Sequence, residues 1–255
     1  MNPDVFVRLA AKAQSGDKKA LIALLRLTHT PVSFQCRKLL RDTRAAEDMT
    51  RGILSAIPKT LGTLKNPAEY EKWICRVTAS RCMLALETMT PEESNEPAPL
   101  PEPPATDMDE AQTAHLVQQL VDDLPYEPRV CLLLYSCAGL KLKGISQLTG
   151  YSETAVLEYL NQAQKTINQQ LRGYRRRGVH FTPIPALSSL LRTAMYASQD
   201  IKAAVAMVNE ILPRKKPAVR RKLPIRKPML IAIIAAASLL VILLAVILFL
   251  ESGMK

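Results

Sequence analysis

The chain has 255 residues, of which 48% are hydrophobic, 22% charged and 5% aromatic; this allows one or two domains with real cores and excludes a wholly disordered chain. Cys36, Cys75, Cys82, Cys131 and Cys137 form no CxxC pair, so they signal neither a disulfide framework nor a paired-cysteine zinc site, and a reducing compartment suits them. The formal charge of +11 is concentrated: Arg214, Lys215, Lys216, Arg220, Arg221, Lys222, Arg226 and Lys227 carry eight positive charges within fourteen positions and leave +3 for the rest.

Taken in chain order, the punctuation is that of helices. Asn2-Pro3, Thr30-Pro31 and Asn66-Pro67 each place a capping side chain before a proline suited to the first helical position, and so predict three helix starts. Ser15-Gly16-Asp17 predicts a break between the first two helices. Apolar faces follow at helical spacing: Ala20, Leu21, Leu24 and Leu25; then Val32, Cys36, Leu39 and Leu40; then Met49, Ile53, Ile57 and Leu61 from a helix beginning near Arg44; then Tyr70, Trp73, Ile74 and Val77. Residues 1–87 therefore read as four or five amphipathic helices around one core.

Residues 88–110, with six prolines, many acids and no basic residue, bury little apolar surface and resist helix formation, so they read as a linker. A second helical block, 111–174, follows, with Asp107 the expected cap before its first helix, which carries Leu116 to Val121. An apolar helix then opens at Pro125-Tyr126-Glu127-Pro128 and ends at Gly139. Next come a short helix over 142–149, a turn at Gly150-Tyr151-Ser152, and a long helix from Glu153 that buries Val156, Leu160, Ala163 and Ile167. Two helices joined by a short glycine-containing turn outline a helix-turn-helix. No run alternates as a strand would. A helical extension, 175–213, leads to the basic segment 214–228, and residues 229–250 are 22 positions without a charge. A bilayer core needs roughly 20 apolar residues in a helix. The fold expected is all-α: two small helical domains plus a C-terminal transmembrane helix. By the positive-inside rule the basic flank places residues 1–228 in the cytoplasm, beside anionic lipid head groups, and leaves a very short external C-terminus.

The two blocks together resemble a bacterial RNA polymerase sigma factor of the extracytoplasmic-function type. The first block resembles region two in AAEDMTRGILSAI and YEKWICRVTASRCMLAL, and the second resembles region four in LPYEPRVCLLLYSCAGLKLKGISQLTGYSETAVLEYLNQAQKTINQQL. The segment 175–213 looks like the helical extension that precedes a membrane span in some fused members. The resemblance implies that region two docks on core RNA polymerase and melts and reads the minus-ten element of promoter DNA, while region four reads the minus-thirty-five element. It places the start of the polymerase-docking helix at Ala46, Glu47, Asp48 and Met49. Arg51 and Gly52 stand where the family usually shows a Gln-Glu pair, and Pro58 stands where it usually has an aromatic, inside the same helix. Trp73 and Arg76 match the family's tryptophan and arginine on the helix facing promoter DNA, with Ala79 and Ser80 where an Arg-Asn pair is common. Arg81 shares the polar face of Arg76, where phosphate contact or plain solvation are both open; for Trp73, a core position beside Ile74 and Val77 is the alternative.

On the recognition helix the outward positions are Glu153, Thr154, Leu157, Glu158, Asn161 and Gln162, where the family commonly places lysine and arginine. Carboxylates beside a duplex repel, and each absent cation removes a counterion-release contribution; Asn161 and Gln162 can still read adenine edges. Arg172, Arg175, Arg176 and Arg177 lie just past the expected helix end and can anchor a backbone or complement the helix dipole.

For an enzyme the support is least: His29, His115 and His180 are isolated, and neither a GxxxxGK[ST] loop nor a GxGxxG turn is present. No cofactor is expected. Two readings stand. One is a membrane-tethered sigma factor, with core polymerase, promoter DNA, membrane lipid and another membrane protein as partners. The other is a sigma-derived interaction module at the membrane that no longer reads promoters. A tethered one-component transcription factor would leave the first block without a role.

Overall fold

Asp17 begins the helix on which the rest of the fold is assembled. Its carboxylate accepts hydrogen bonds from the Lys19 and Ala20 amides at 2.8 and 3.1 Å, and Gly16 before it holds φ at 93°, a conformation glycine adopts without strain. This helix, α2 (Lys18–Leu40), follows α1 (Pro3–Gln14). The computed structural model describes residues 3–88, 106–197 and 200–212, all within one compact unit, Met1–Pro213.

α2 runs straight through Pro31, which corrects the expected helix start at Thr30-Pro31. A proline in a helix interior costs about 3 kcal/mol. Here every residue from Thr28 to Val32 is buried, and the packing of that surface outweighs the lost backbone bond. Arg41 closes α2 in the left-handed region at φ 60°, its amide donating to the Arg37 carbonyl. Asp42 then caps α3 (Thr43–Thr60), which continues two residues past Pro58. Two single turns of tighter helix follow, the second opened by Asn66 accepting from the Ala68 amide at 3.0 Å. Gln14 fastens this connection by donating to the Leu61 and Leu64 carbonyls. It leads into α4 (Tyr70–Leu86).

The second block contains β1 (Asp107–Met108), α5 (Glu110–Asp122), α6 (Tyr126–Ser136), α7 (Leu142–Thr149), α8 (Glu153–Arg176), β2 (His180–Phe181), α9 (Leu187–Ala197) and α10 (Ile201–Ile211). Asp107 is not the cap of α5: it lies in β1, opposite His180 in a two-residue parallel pairing with β2. Asp109 is the cap. Its carboxylate accepts from the Gln112 amide while the Gln112 side chain accepts from the Asp109 amide, so two orphan donors are satisfied reciprocally. α8 reaches Arg176, so the segment expected as an extension from residue 175 begins inside its last turn.

The described residues are predominantly helical, with ten α-helices among them. No described helix is long and apolar enough to cross a membrane. The expected span 229–250, the basic segment 214–228 and linker residues 89–105 lie outside the described residues.

One hydrophobic core runs through both blocks, from Phe6 and Leu24 through Leu116 and Leu133 to Leu191 and Val208. Polar contacts fix the seam. Lys38 on α2 pairs with Asp122 on α5, and the buried Arg129 of α6 donates to the Lys38 carbonyl at 2.8 Å, satisfying an orphan acceptor at the end of α2. Burial lowers the pKa of that guanidinium to about 10, with Arg41 adding to the effect. Across the bundle, Glu71 of α4 accepts from Arg192 at 2.9 Å and from the Tyr196 hydroxyl at 2.7 Å, both on α9. All five cysteines are free and buried; burial pushes Cys75 up to about 11 and Cys137 up to about 12, so these two sit as thiols.

Two measurements check this packing. Tyr70 is fully buried, stacked on Phe6 at 6.0 Å, and shares a 2.9 Å hydrogen bond with Thr28, which itself donates to the Leu24 carbonyl; Tyr70→Phe should cost about 1 kcal/mol in denaturant unfolding. His29 is buried on α2 with Nδ1 unpartnered. Burial lowers its pKa below the ordinary 6.5, Asp200 opposing and Arg37 reinforcing the shift. Below about pH 6.5 the unfolded chain therefore binds this proton more readily than the folded one, and stability falls with acidification. In His29→Gln, unfolding measured from pH 7 to pH 5 should show a smaller loss than in the parent chain.

Candidate nucleic-acid interface

α4 has two working faces, set by its spacing. Positions 71, 74, 75, 78 and 82 turn inward, where Ile74, Cys75, Thr78 and Cys82 are buried and Glu71 meets α9. Trp73, Arg76, Val77, Ser80, Arg81 and Leu84 recur at intervals of three and four and form one stripe on the other side. With Leu64, Glu69 and Lys72, this stripe lines an open groove of 610 Å³. All four α4 residues singled out from the sequence, Trp73, Arg76, Ser80 and Arg81, are thus brought together. Trp73 belongs both to the margin of the core and to the groove. It is half-buried against Tyr70, with ring centroids 5.8 Å apart, and it also forms part of the groove wall. Arg76, Ser80 and Arg81 are exposed. Leu84, 62% exposed, was not singled out, although its position eleven residues after Trp73 falls on the same stripe. An aromatic ring, an apolar wall and two guanidinium groups in one groove match what an unpaired strand needs: a surface for a base to stack on and cations for its backbone.

The helix-turn-helix is built as its punctuation predicts. Gly150 ends α7 with φ at 78°, and Ser152 caps α8 by accepting from the Ala155 amide at 3.1 Å. The Ser146 hydroxyl donates to the Tyr151 carbonyl, and Tyr151 packs edge to face on Tyr159 at 5.3 Å, which fixes the angle between the helices. Val156, Ala163, Ile167, Leu171 and Tyr174 are buried. Glu153, Thr154, Leu157, Glu158, Asn161 and Gln162 are all exposed, and these six positions carry two carboxylates and two amides and no cation. The first cation of α8 is the exposed Lys165, one turn past Asn161, and the arginines follow. There Gln164, Asn168, Arg172 and Arg175 line a polar groove of 430 Å³ against Ile184 to Leu187, and Arg175 lies over the Phe181 ring at 5.2 Å. Arg176 and Arg177 are exposed.

The α3 residues expected to meet the polymerase are divided between solvent and a neighbouring helix. Glu47, Asp48, Arg51 and Gly52 are exposed and Met49 is half-buried. Glu47 and Arg51 border a cleft of 270 Å³ whose opposite wall belongs to α10, and Arg51 pairs with Glu210 of α10 at 3.0 Å. Gly52 has open space where a side chain would stand. Nothing in the local sequence marks Glu210 as a partner of Arg51, since the two lie far apart in the chain.

No family model matches the chain. It is similar to the probable RNA polymerase sigma factor RfaY of Xanthomonas campestris pv. campestris, with 23% identity over 171 residues. The match takes in 62% of this chain and 42% of that protein, so the chain spans about two-fifths of the length of the curated relative it matches. This similarity supports a sigma-factor-like protein.

Proposed function

We propose that this chain is a membrane-tethered, non-catalytic sigma-factor-like protein of the extracytoplasmic-function type that binds core RNA polymerase and directs transcription initiation at promoter DNA. The observation that carries the reading is the α4 stripe: Trp73, Arg76, Ser80 and Arg81, read from the sequence as facing DNA, line one open groove with stacking and cationic walls. The similarity to a probable sigma factor supports the same direction. In this reading α3 docks on the polymerase through Glu47, Asp48 and Met49, α4 holds the melted strand, and α8 meets duplex DNA. The basic segment and apolar tail hold the chain at the cytoplasmic membrane.

The exposed Glu153 and Glu158 on α8 favour a second reading, a sigma-derived module that binds polymerase or another membrane protein without reading promoters. Run-off transcription on genomic fragments separates the two, using core polymerase from the source organism and the full chain in lipid nanodiscs. Promoter-dependent transcripts are expected. Co-elution of the two proteins without transcripts would favour the second reading, and the loss of both would end the sigma reading.

The groove makes a narrower prediction. Arg76→Ala and Arg81→Ala remove exposed cations and leave the core intact, so each should weaken binding of single-stranded promoter DNA. Each should also reduce the slope of log affinity against log salt by about 0.7, measured by fluorescence anisotropy at several salt concentrations. Trp73→Ala should cost about 1–3 kcal/mol of the same binding through lost stacking.

A further inference from the structure

α10 lies on the part of the bundle that the polymerase reading assigns to docking. It is capped by Asp200, whose carboxylate accepts from the Ala203 amide at 2.9 Å. It buries Ala204 and Val208 against α2 and α3, with Met207, Ile211 and Leu212 packed at the margin. Its Glu210 takes Arg51, and its Asp200, Ala203, Ala206 and Met207 face Glu47, Thr50 and Arg51 of α3 and Arg37 of α2 across a narrow cleft. Arg51 is one of the positions where the chain departs from the family's usual Gln-Glu pair. The structure gives that departure a partner inside the same molecule.

From this we infer that α10 is an internal competitor of the polymerase: it covers the Glu47 and Arg51 edge of the docking face of α3 and must leave before that edge can be engaged. The inference rests on the polymerase reading of α3.

Its fastening is graded in a way that suits release of α10 alone. α9 is set into the core by Leu187, Leu190, Leu191 and Met195 and tied to α4 through Arg192 and Tyr196. α10 has only Ala204 and Val208 fully inside and one exposed ion pair, and exposed pairs of that kind hold weakly. Segments with few buried apolar contacts open locally while the rest of a fold persists. α9 therefore serves as the fixed end and α10 as the movable one. The chain after α10 enters the basic run at Arg214 within three residues of Ile211, so a partner or protease acting on the tail acts next to the latch. A protein that binds only the open form has its affinity reduced by the fraction of chains that are open, and weakening the latch returns that factor.

The test measures affinity of the full chain in nanodiscs for core polymerase from the source organism. Val208→Asp places a charge in the α10 contact and should tighten binding at least tenfold; Glu210→Lys, a change at an exposed position that leaves the core untouched, should tighten it severalfold. The double variant Arg51→Cys, Glu210→Cys, joined by a short cleavable bismaleimide, should bind at least tenfold more weakly than the same variant before joining, and cleavage should restore it. Circular dichroism identifies any variant that fails to fold. Polymerase binding by the parent chain that neither latch variant strengthens, and that joining does not weaken, would overturn the competitor while leaving the sigma reading in place. Failure of every form, open or joined, to bind polymerase would overturn the docking role of α3 and the competitor with it.

Discussion

Everything described in this molecule leans on α2. Its 23 residues carry buried side chains on nearly all sides, and α1, α3, α4, α6, α9 and α10 all pack against it. A helix surrounded in this way has no solvent face on which a proline could open a bend at small cost, so continuity through Pro31 is imposed by the neighbours. The same enclosure leaves its C-terminal carbonyls in need of partners. Arg129 reaches one of them from α6, and the first block is thereby bonded to the second through the end of a single helix.

That seam bears on the proposed function. The two promoter elements named by the resemblance are about 25 base pairs apart, about 85 Å along B-form DNA, whereas a compact unit the size of Met1–Pro213 has a radius of gyration of about 17 Å. A chain that reads both elements at once needs its blocks parted. The contacts resisting separation are identifiable: Lys38 with Asp122, Arg129 with the α2 terminus, and the α9 anchor on Glu71. Alone, an ion pair that keeps part of its surface in water, as Lys38 with Asp122 does, contributes modestly. The buried guanidinium matters more, because losing its acceptor would leave a desolvated charge.

Local chemistry was legible in the sequence wherever one or two neighbouring residues decide it. Asp17, Asn66 and Ser152 cap as their side chains dictate, and Gly150 makes the turn between α7 and α8. The α4 stripe could be read because helical spacing alone places Trp73, Arg76, Ser80 and Arg81 together. Asp107 was misplaced by two residues because Asp109 satisfies the same capping rule and also has Gln112 three positions on. What the sequence could not show depends on distant partners. The pairing of Glu71 with Arg192 and Tyr196, the burial of Arg129, and the meeting of Arg51 with Glu210 each join residues far apart in the chain. Spacing alone does not divide core from surface at Trp73, because its ring is wide enough to pack on Tyr70 and line the groove together.

The short pairing of β1 with β2 places Thr106 beside His180, whose amide donates to the Thr106 carbonyl at 2.8 Å. At that point the second block has already been secured to the end of its own long helix, while α4 has been secured to α9. The peptide bonds between residues 88 and 106 are therefore not what keeps the halves together. A chain cut once in that acidic stretch would keep its two pieces joined through the core and the polar contacts they share.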